Sequence, residues 1–325
     1  MIIMPRRRFL ALAGAALAAP AVVRSGFAQS WPSKPIRAMV PFAAGSTIDV
    51  VTRVLFDPLA QRLGQPIVID NRGGAGGSIG AAIAAKAPAD GYNLLINASA
   101  HSSAPAAYPN IAYDPVRDFR AVASFGSIPN VVVTAPSKGF KTLKDLVEAG
   151  KTSKLTYGSA GIGSATHWAV ERLRLSAGFE PIHVPFKVGP DATMSTVAGR
   201  VDFMAPGMSG ARQPVIDKRL VALAVSTPTR SFVFPDVPTT LEAGYPESDY
   251  TYWNGMFVPT GTPQEIIDRL HHETTEALKH PMVQEKYRAL GIEAMPMTPQ
   301  EFDALVVKEI AINHALVKAA GLKFN

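Results

Sequence analysis

The chain has 325 residues, 47% hydrophobic and 18% charged, a composition typical of a globular protein long enough to form two domains. It contains no cysteine, which excludes disulfides, thiolate catalysis, cysteine-ligated zinc and lipid attachment at an N-terminal cysteine. Its formal charge of +6 comes mostly from four arginines among the first 28 residues. Without them 28 basic residues face 26 acidic ones, so the charge gives no support to nucleic-acid binding.

The first 28 residues carry the pattern of an export signal. Arg6-Arg7-Arg8 precedes an apolar run from Phe9 to Val23, and Gly26-Phe27-Ala28 provides a small-residue cleavage site. The stretch from Arg6 to Leu10 also fits the twin-arginine form of such signals. An uncleaved membrane anchor is the alternative, but the run is short and a glycine and a proline interrupt it. The pattern predicts a cleaved twin-arginine signal over residues 1–28 and a soluble periplasmic protein without a lipid anchor.

Beyond the signal, short apolar runs alternate with helical patterns along the chain. Most of the runs lack polar alternation, which is typical of parallel strands covered on both faces. Thr262-Pro263-Gln264-Glu265 and Thr298-Pro299-Gln300-Glu301 both resemble helix starts with a threonine cap. The alternation predicts an α/β fold with right-handed crossovers. The candidate strands are Ile36–Val40, Ile67–Ile69, Leu94–Ile96, Val131–Val133, Leu155–Tyr157, Ile182–Val184, Val201–Met204, Leu220–Val225 and Met256–Val258.

Three Gly/Ser-rich turns each follow an apolar run and precede a helical pattern. They span residues 41–47, 71–78 and 157–164. A turn of this kind exposes peptide N–H groups at a helix N-terminus, where the partial positive charge favours an anion. Ligands of α/β sheets bind outside the carboxyl ends of the strands, where these turns are expected. The turns therefore predict an anion site, although residues 73–77 could also be a strand–helix turn that meets no ligand.

None of the three turns carries a sequence pattern for catalysis. Ser164 stands where a phosphate-binding loop needs lysine, and Tyr157 stands where a nucleophile elbow around Ser159 needs glycine. The adjacent histidines His271-His272 point to different helix faces, which is poor geometry for a metal. The turns favour a protein that binds an anion and releases it, without enzymatic activity, metal or cofactor. A hydrolase that uses Ser159 is the alternative.

A series of short motifs extends over nearly the whole mature chain, and its order and spacing resemble one family. The motifs are Pro35-Ile36-Arg37 through Val40–Gly45 to Asp49, Asn71-Arg72 through Gly74–Gly77 to Gly80, Ala87 to Tyr92, Tyr113-Asp114-Pro115 to Phe119, Tyr157-Gly158-Ser159 to His167, His183-Val184-Pro185, Gly199–Asp202, Pro235–Thr239, Glu242-Ala243-Gly244 and Gly261-Thr262-Pro263. With these motifs the chain resembles the periplasmic solute receptors of tripartite tricarboxylate transporters, the Bug receptor family.

The resemblance implies a periplasmic-binding-protein fold of type II, in which two α/β domains close on a ligand like a Venus flytrap. Domain 1 would comprise residues 29–130 and 251–325, and domain 2 residues 131–250, with two crossovers forming the hinge. It further implies a monomeric receptor that binds a small carboxylate and delivers it to membrane permease subunits. A receptor that presents its ligand to a sensor kinase is the alternative. Neither the particular carboxylate nor the choice between these partners follows from the sequence.

The resemblance also implies a set of site residues, which hold the carboxylate through backbone amides, hydroxyls and waters. Asp49 could instead only favour its helix dipole, His167 could cap its helix or orient the loop, and Asp202 could be structural. The stretch Ala205–Ser209 is a plausible further wall. The candidate ligand-binding residues are Phe42, Ala44, Gly45, Ser46, Asp49, Ser159, Gly161, Gly163, Ser164, His167 and Asp202.

The chain departs from the family pattern at several of these turns. Gly45-Ser46 replaces the usual Gly-Gly, so a hydroxyl faces or crowds the pocket, and Gly73 replaces a proline. Ala104-Pro105 stands for a common Asn-Pro, and Val188-Gly189 for a Gly-Gly. These changes leave the role of a receptor intact and leave its usual ligand open.

Overall fold

The computed structural model describes residues 31–108 and 110–321, and the predicted export signal over residues 1–28 lies outside them. The described residues from Lys34 onward form one compact unit. Within the described ranges, no helix combines the length and the apolar character that a membrane span requires.

Five strands of the described chain form a first sheet. They are β1 (Ile36–Val40), β2 (Ile67–Asn71), β3 (Asn93–Ala98), β4 (Phe119–Pro129) and β10 (Thr251–Pro259), in the order β2-β1-β3-β10-β4. β1 pairs in parallel with β2 and β3, whereas β10 runs antiparallel to both β3 and β4. Four of the five strands therefore run in one direction and β10 runs against them, in agreement with the expectation of mostly parallel strands.

Five further strands form a second sheet. They are β5 (Val131–Thr134), β6 (Thr156–Ser159), β7 (Ile182–Pro185), β8 (Phe203–Met204) and β9 (Val221–Val225), in the order β7-β6-β8-β5-β9. β6 runs parallel to β7 and β8, and β5 runs antiparallel to β8 and β9. Both sheets are thus mixed.

The chain passes between the two sheets twice. The first passage is Asn130, between β4 and β5, and the second is the segment 226–250, between β9 and β10. The predicted domain boundaries at 130/131 and 250/251 coincide with the ends of these passages. The division into two closing domains itself stays a prediction.

Helices cover the sheets, and each sheet has its own apolar core. Trp253, Phe257 and Phe302 pack together on the first sheet, and Trp168 and Phe203 are fully buried on the second. The α-helices of the described chain are α1 (Thr47–Leu63), α2 (Ser78–Ala85), α3 (Ala100–Ala107), α4 (Leu143–Thr152), α5 (Ala165–Ala177), α6 (Gly189–Val197), α7 (Met208–Ile216), α8 (Gln264–Leu278), α9 (Pro281–Leu290) and α10 (Pro299–Ala320).

The two predicted threonine caps have different outcomes. Thr298 caps α10 in a complete capping box with Glu301, as predicted. The prediction for α8 is wrong, because Pro263 occupies the N-cap position and the Thr262 hydroxyl donates to the Pro259 carbonyl at 2.7 Å. The same Thr-Pro-Gln-Glu pattern therefore starts α8 one residue later than it starts α10, because the Thr262 hydroxyl bonds to the Pro259 carbonyl and does not cap the helix.

Candidate functional site

The Gly/Ser-rich turns lie at the carboxyl ends of parallel strands. Residues 41–46 follow β1, residues 72–77 follow β2, and residues 160–164 follow β6. The first two turns pack against each other, since a Cβ built on Gly77 would lie 3.1 Å from Cζ of Phe42. A side chain at position 77 would require the Phe42 ring to shift by a few tenths of an ångström, and the φ of 95° there also favours glycine.

Helix α3 connects the third turn with the other two. A Cβ built on Gly163 would lie 3.8 Å from Cβ of Ala107, the last residue of α3. The next residue, Tyr108, lies against the second turn, 2.8 Å from a Cβ built on Gly76. The structure therefore brings all three turns to one region, in agreement with the expectation from the sequence.

The first turn leads into α1 and is fixed from within. The N–H of Gly45 donates to Oδ2 of Asp49 at 2.8 Å, and Nε of Arg53 donates to the same oxygen at 2.9 Å. Nδ2 of Asn71 donates to Oδ1 of Asp49 at 3.0 Å and to the carbonyl of Phe42 at 3.0 Å. Both carboxylate oxygens of Asp49 thus bind groups of the protein.

Charge and exposure separate Asp49 from the rest of this turn. Asp49 is 1% exposed, whereas Ala44 and Gly45 are exposed and Phe42 and Ser46 are partly buried. Burial raises the pKa of Asp49, but hydrogen bonds from Arg53, Gly45 and Asn71 bring that pKa below its usual value. Asp49 is therefore an ionised clamp beneath the turn, and its predicted contact with a ligand stays a prediction.

Ser46 is the N-cap residue of α1, with φ −65° and ψ 159°. Its hydroxyl oxygen is buried and has no hydrogen-bond partner within the described part of the chain. The first N–H groups of a helix have no acceptor inside the helix. The start of α1 therefore offers peptide N–H groups and one free hydroxyl to a bound group.

The third turn leads into α5 and also ends in a serine N-cap, but different bonds close it. Ser164 is the N-cap residue, and its hydroxyl accepts the His167 N–H at 3.3 Å and donates to the Gly161 carbonyl at 2.7 Å. The hydroxyl of Thr166 accepts the Ala160 N–H at 2.8 Å. The turn is thus closed by neutral hydrogen bonds.

Ser159 lies beneath this turn and is fully buried. Its Oγ lies 2.6 Å from Nε2 of His183, accepts the Gly161 N–H at 3.1 Å and lies 3.2 Å from the Gly161 carbonyl. No local pattern indicated a histidine partner for Ser159, because the two residues are 24 positions apart. The parallel pairing of β6 with β7, in which Tyr157 faces His183, brings them together.

His167 is 2% exposed and faces inward from α5. Its Nδ1 accepts the Gly163 N–H at 3.2 Å, and its ring stacks on that of His183 with centroids 4.4 Å apart. Burial lowers the pKa of His167 to about 3 and that of His183 to about 4. Both imidazoles are therefore neutral at physiological pH.

Asp202 lies at the other edge of the second sheet. Its Oδ2 accepts the Thr156 N–H at 2.7 Å, and its Oδ1 pairs with Nζ of Lys138 at 2.7 Å. Burial raises the pKa of Asp202, but the bonds from Lys138 and Thr156 bring that pKa below its usual value. Because Thr156 begins β6 and Ser159 ends it, the strand separates Asp202 from the third turn.

The predicted wall of residues 205–209 lies on the same edge as the third turn. It follows β8, which runs parallel to β6 with Met204 beside Gly158. Nδ2 of Asn130 donates to the Ala205 carbonyl at 2.7 Å, which ties this stretch to the first passage between the sheets. In the described part of the chain, no group of three or more His, Asp or Glu side chains is placed to hold a metal.

Comparison with known proteins gives a consistent result. A family model described as "Tripartite tricarboxylate transporter family receptor" matches residues 51–322. Protein BugT of Bordetella pertussis is 33% identical over 327 residues, which cover 98% of this chain and 99% of BugT.

Two solved structures illustrate the similarity in three dimensions. A Rhodopseudomonas palustris protein solved with adipate has a TM-score of 0.80 at 30% identity, covering 90% of this chain and 99% of that one. MatC from the same species, solved with bound malate, has a TM-score of 0.76 at 30% identity, covering 88% of this chain and all of MatC.

Proposed function

The chain belongs to the tripartite tricarboxylate transporter receptor family, and from this premise we propose that it is an extracytoplasmic receptor for a small organic carboxylate. It binds the carboxylate between the parts of the chain built on the two sheets and delivers it to the membrane subunits of such a transporter. The twin-arginine pattern of residues 1–28 supports export of the protein to the periplasm.

One observation carries the proposal. Two turns, residues 41–46 and 160–164, each end in a serine N-cap at the start of a helix, and α3 brings them to one region. The donors left at these turns are peptide N–H groups and, at the first turn, the Ser46 hydroxyl, which suit a carboxylate that must be released again. The relatives solved with adipate and with malate support the same ligand class.

Closure supplies the affinity in this proposal. When the two parts approach, water leaves the ligand, and each N–H contact with the carboxylate gains strength in the lower dielectric. A ligand that favours the closed state shifts the population toward it. An affinity in the micromolar range corresponds to about −8 kcal/mol.

Titration calorimetry with adipate and malate tests the proposal, with a panel of other small carboxylates beside them. The uncharged diamides of the same two acids are the matched controls. We expect at least one acid of the panel to bind and its diamide to fail. The absence of binding by every carboxylate, or equal binding of acid and diamide, would contradict the proposal.

The partner needs a separate experiment. In vesicles that contain the permease subunits, uptake of the bound carboxylate should depend on this protein. Uptake that does not depend on it, together with ligand-dependent autophosphorylation of a sensor kinase, would favour the alternative of a signalling receptor.

A hydrolase is the second candidate function, because Ser159 and His183 are hydrogen-bonded like a nucleophile and its base. The burial of Ser159 argues against it, since a substrate carbonyl cannot reach Oγ without a change in the turn. Its hydroxyl also accepts the Gly161 N–H, so it already serves the backbone. Hydrolysis of p-nitrophenyl acetate that is lost in Ser159→Ala would support this candidate.

A further inference from the structure

The third turn is supported from beneath by a pair of stacked histidines. Resting on the proposed function, we propose that His183 is a positioning residue of the carboxylate site. It holds Ser159, and through Ser159 it fixes the peptide groups of Gly161 that shape the turn. His167 supports the same turn at Gly163.

The link from His183 to the turn is continuous. Nε2 of His183 lies 2.6 Å from Oγ of Ser159, which accepts the Gly161 N–H at 3.1 Å. The Gly161 carbonyl in turn accepts the Ser164 hydroxyl at 2.7 Å and the Ser164 N–H at 3.2 Å. A shift of Ser159 would therefore move both the turn and the cap of α5.

The stack fixes His183 itself. Its ring packs against two others, with centroid distances of 4.4 Å to His167 and 4.7 Å to Tyr157, and these two rings are themselves 6.3 Å apart. The hydroxyl of Tyr157 donates to Glu171 at 2.5 Å, which holds the Tyr157 ring in place. Packed rings and a hydrogen bond leave His183 little freedom, as positioning requires.

The inward bonds decide which peptide groups face a ligand. The N–H groups of Gly161 and Gly163 donate inward, to Ser159 and to His167. Within the described residues, the N–H of Ile162 between them has no acceptor. The N–H groups of Ala165 and Thr166 belong to the first turn of α5 and have no acceptor inside that helix. These three N–H groups are the donors that the arrangement leaves for a carboxylate.

The neutral state of the pair keeps this arrangement intact. His167 can accept the Gly163 N–H only while Nδ1 carries no proton. Burial lowers the pKa of both imidazoles, and for His167 the charges of His183 and Arg174 lower it further. The pair therefore positions the turn at neutral pH without adding charge to the site.

Paired substitutions test the inference. His183→Phe keeps the stacked ring and loses Nε2, whereas His183→Gln loses the ring and keeps a polar group at a similar reach. We expect His183→Phe to weaken binding of adipate or malate about tenfold, the value of one lost hydrogen bond, and His183→Gln to recover part of the loss. Equal affinity of His183→Phe and wild type, or no difference between the two variants, would overturn the inference.

His101→Phe is the matched control. His101 is also buried and packed against an aromatic ring, Phe257, with centroids 4.4 Å apart, but its Nε2 pairs with the Pro115 carbonyl. Within the described residues, no hydrogen bond or ring contact joins His101 to the third turn. We expect this control to lower the stability of the fold and to leave the Kd of the carboxylate unchanged. A tenfold loss of affinity in the control would mean that general destabilisation explains the result.

Two further measurements test the inference if the variant does not fold or if wild type binds no carboxylate. If His183→Phe does not fold, Ser159→Ala breaks the same link, and unchanged affinity in that variant overturns the inference. If wild type binds no carboxylate, the proposed function fails, but the amide NMR shifts of Gly161 and Gly163 in the ligand-free protein still report on the turn. Unchanged shifts in His183→Gln and Ser159→Ala would then overturn the inference independently of the proposed function.

Discussion

Asp49 accepts the N–H of Gly45 at 2.8 Å, so a carboxylate inside helix α1 holds the turn that precedes the same helix. Arg53 and Asn71 donate to the same carboxylate. A negative charge that is already bound in this way is a poor partner for an anionic ligand. We therefore infer that Asp49 shapes the first turn and that the ligand meets the N–H groups and the hydroxyl above it.

We expect Asp49→Asn to lower the free energy of unfolding at pH 7 by about 1.5–3 kcal/mol, the range for hydrogen bonds to a charged group. The pKa of Asp49 is below 3.8 in the folded protein, so its stabilising contribution is complete above that pH and declines as the carboxylate is protonated. Urea unfolding from pH 7 to pH 3 measures the difference between variant and wild type. A difference that stays constant down to pH 3 would contradict this account.

For Asp202 we expect an effect on stability and almost none on ligand binding. It pairs with Lys138 and Thr156 at the far edge of the second sheet. We expect Asp202→Asn to lower the free energy of unfolding by about 1–3 kcal/mol and to leave the Kd of a bound carboxylate within about twofold. Urea unfolding and calorimetry on the same preparation measure both. A tenfold change in Kd would instead confirm the predicted place of Asp202 in the site.

Local patterns predicted the parts of the fold whose signals are local. The turns after β1 and β6 follow short apolar runs and contain the glycines that a tight strand–helix connection requires. The capping box at Thr298 is also a four-residue pattern, and the structure contains it. The alternation places the turns after β1 and β2 at one edge of the first sheet, because the carboxyl ends of parallel strands share an edge. The turn after β6 belongs to the second sheet, and its approach to the other two through α3 follows from no local pattern.

The features that the sequence did not reveal depend on distant partners. β4 was not predicted, since Ser124, Gly126 and Ser127 interrupt its apolar residues, and it pairs with β10, more than 120 positions later. β10 extends over Thr251–Pro259 although only Met256–Val258 were predicted. The support of Ser159 by His183 likewise requires the register of β6 and β7, which no local pattern reports.

Ser164 offers a test of the anion site in which charge is the main variable. Ser164 is the N-cap of α5, and Asp and Asn are caps of similar quality. In Ser164→Asp a negative charge lies near the bound carboxylate, and two like charges about 6 Å apart repel by about 3 kcal/mol at an effective dielectric of about 20. We expect calorimetry to show a loss of affinity of roughly a hundredfold or more.

Ser164→Asn is the control, because asparagine matches aspartate in size and in capping ability but carries no charge. We expect it to bind within about tenfold of wild type, the cost of altering the bond to the Gly161 carbonyl. Both variants should unfold at similar urea concentrations. Unchanged affinity in Ser164→Asp would remove the third turn from the site.

Two helical glycines differ in the space around them and allow a test of how the first and second turns pack. A Cβ on Gly80 in α2 would lie 2.7 Å from the Arg72 carbonyl oxygen and 2.9 Å from Cα of Pro41, both backbone atoms of the two turns. We expect Gly80→Ala to lower the free energy of unfolding by about 1–3 kcal/mol, the usual cost of overpacking. Because the clash displaces both turns, the affinity for a carboxylate should fall with it.

Gly210→Ala in α7 provides the comparison, since Gly210 is exposed and its nearest neighbour, Cβ of Pro206, would lie 3.6 Å away in ordinary contact. Alanine favours a helix over glycine by about 1 kcal/mol, so this variant should be as stable as wild type or more stable. Urea unfolding of the two variants should therefore move in opposite directions. If Gly80→Ala were also as stable as wild type, the two turns would have room to separate. The close packing of the first turn, with Phe42, against the second turn would then be wrong.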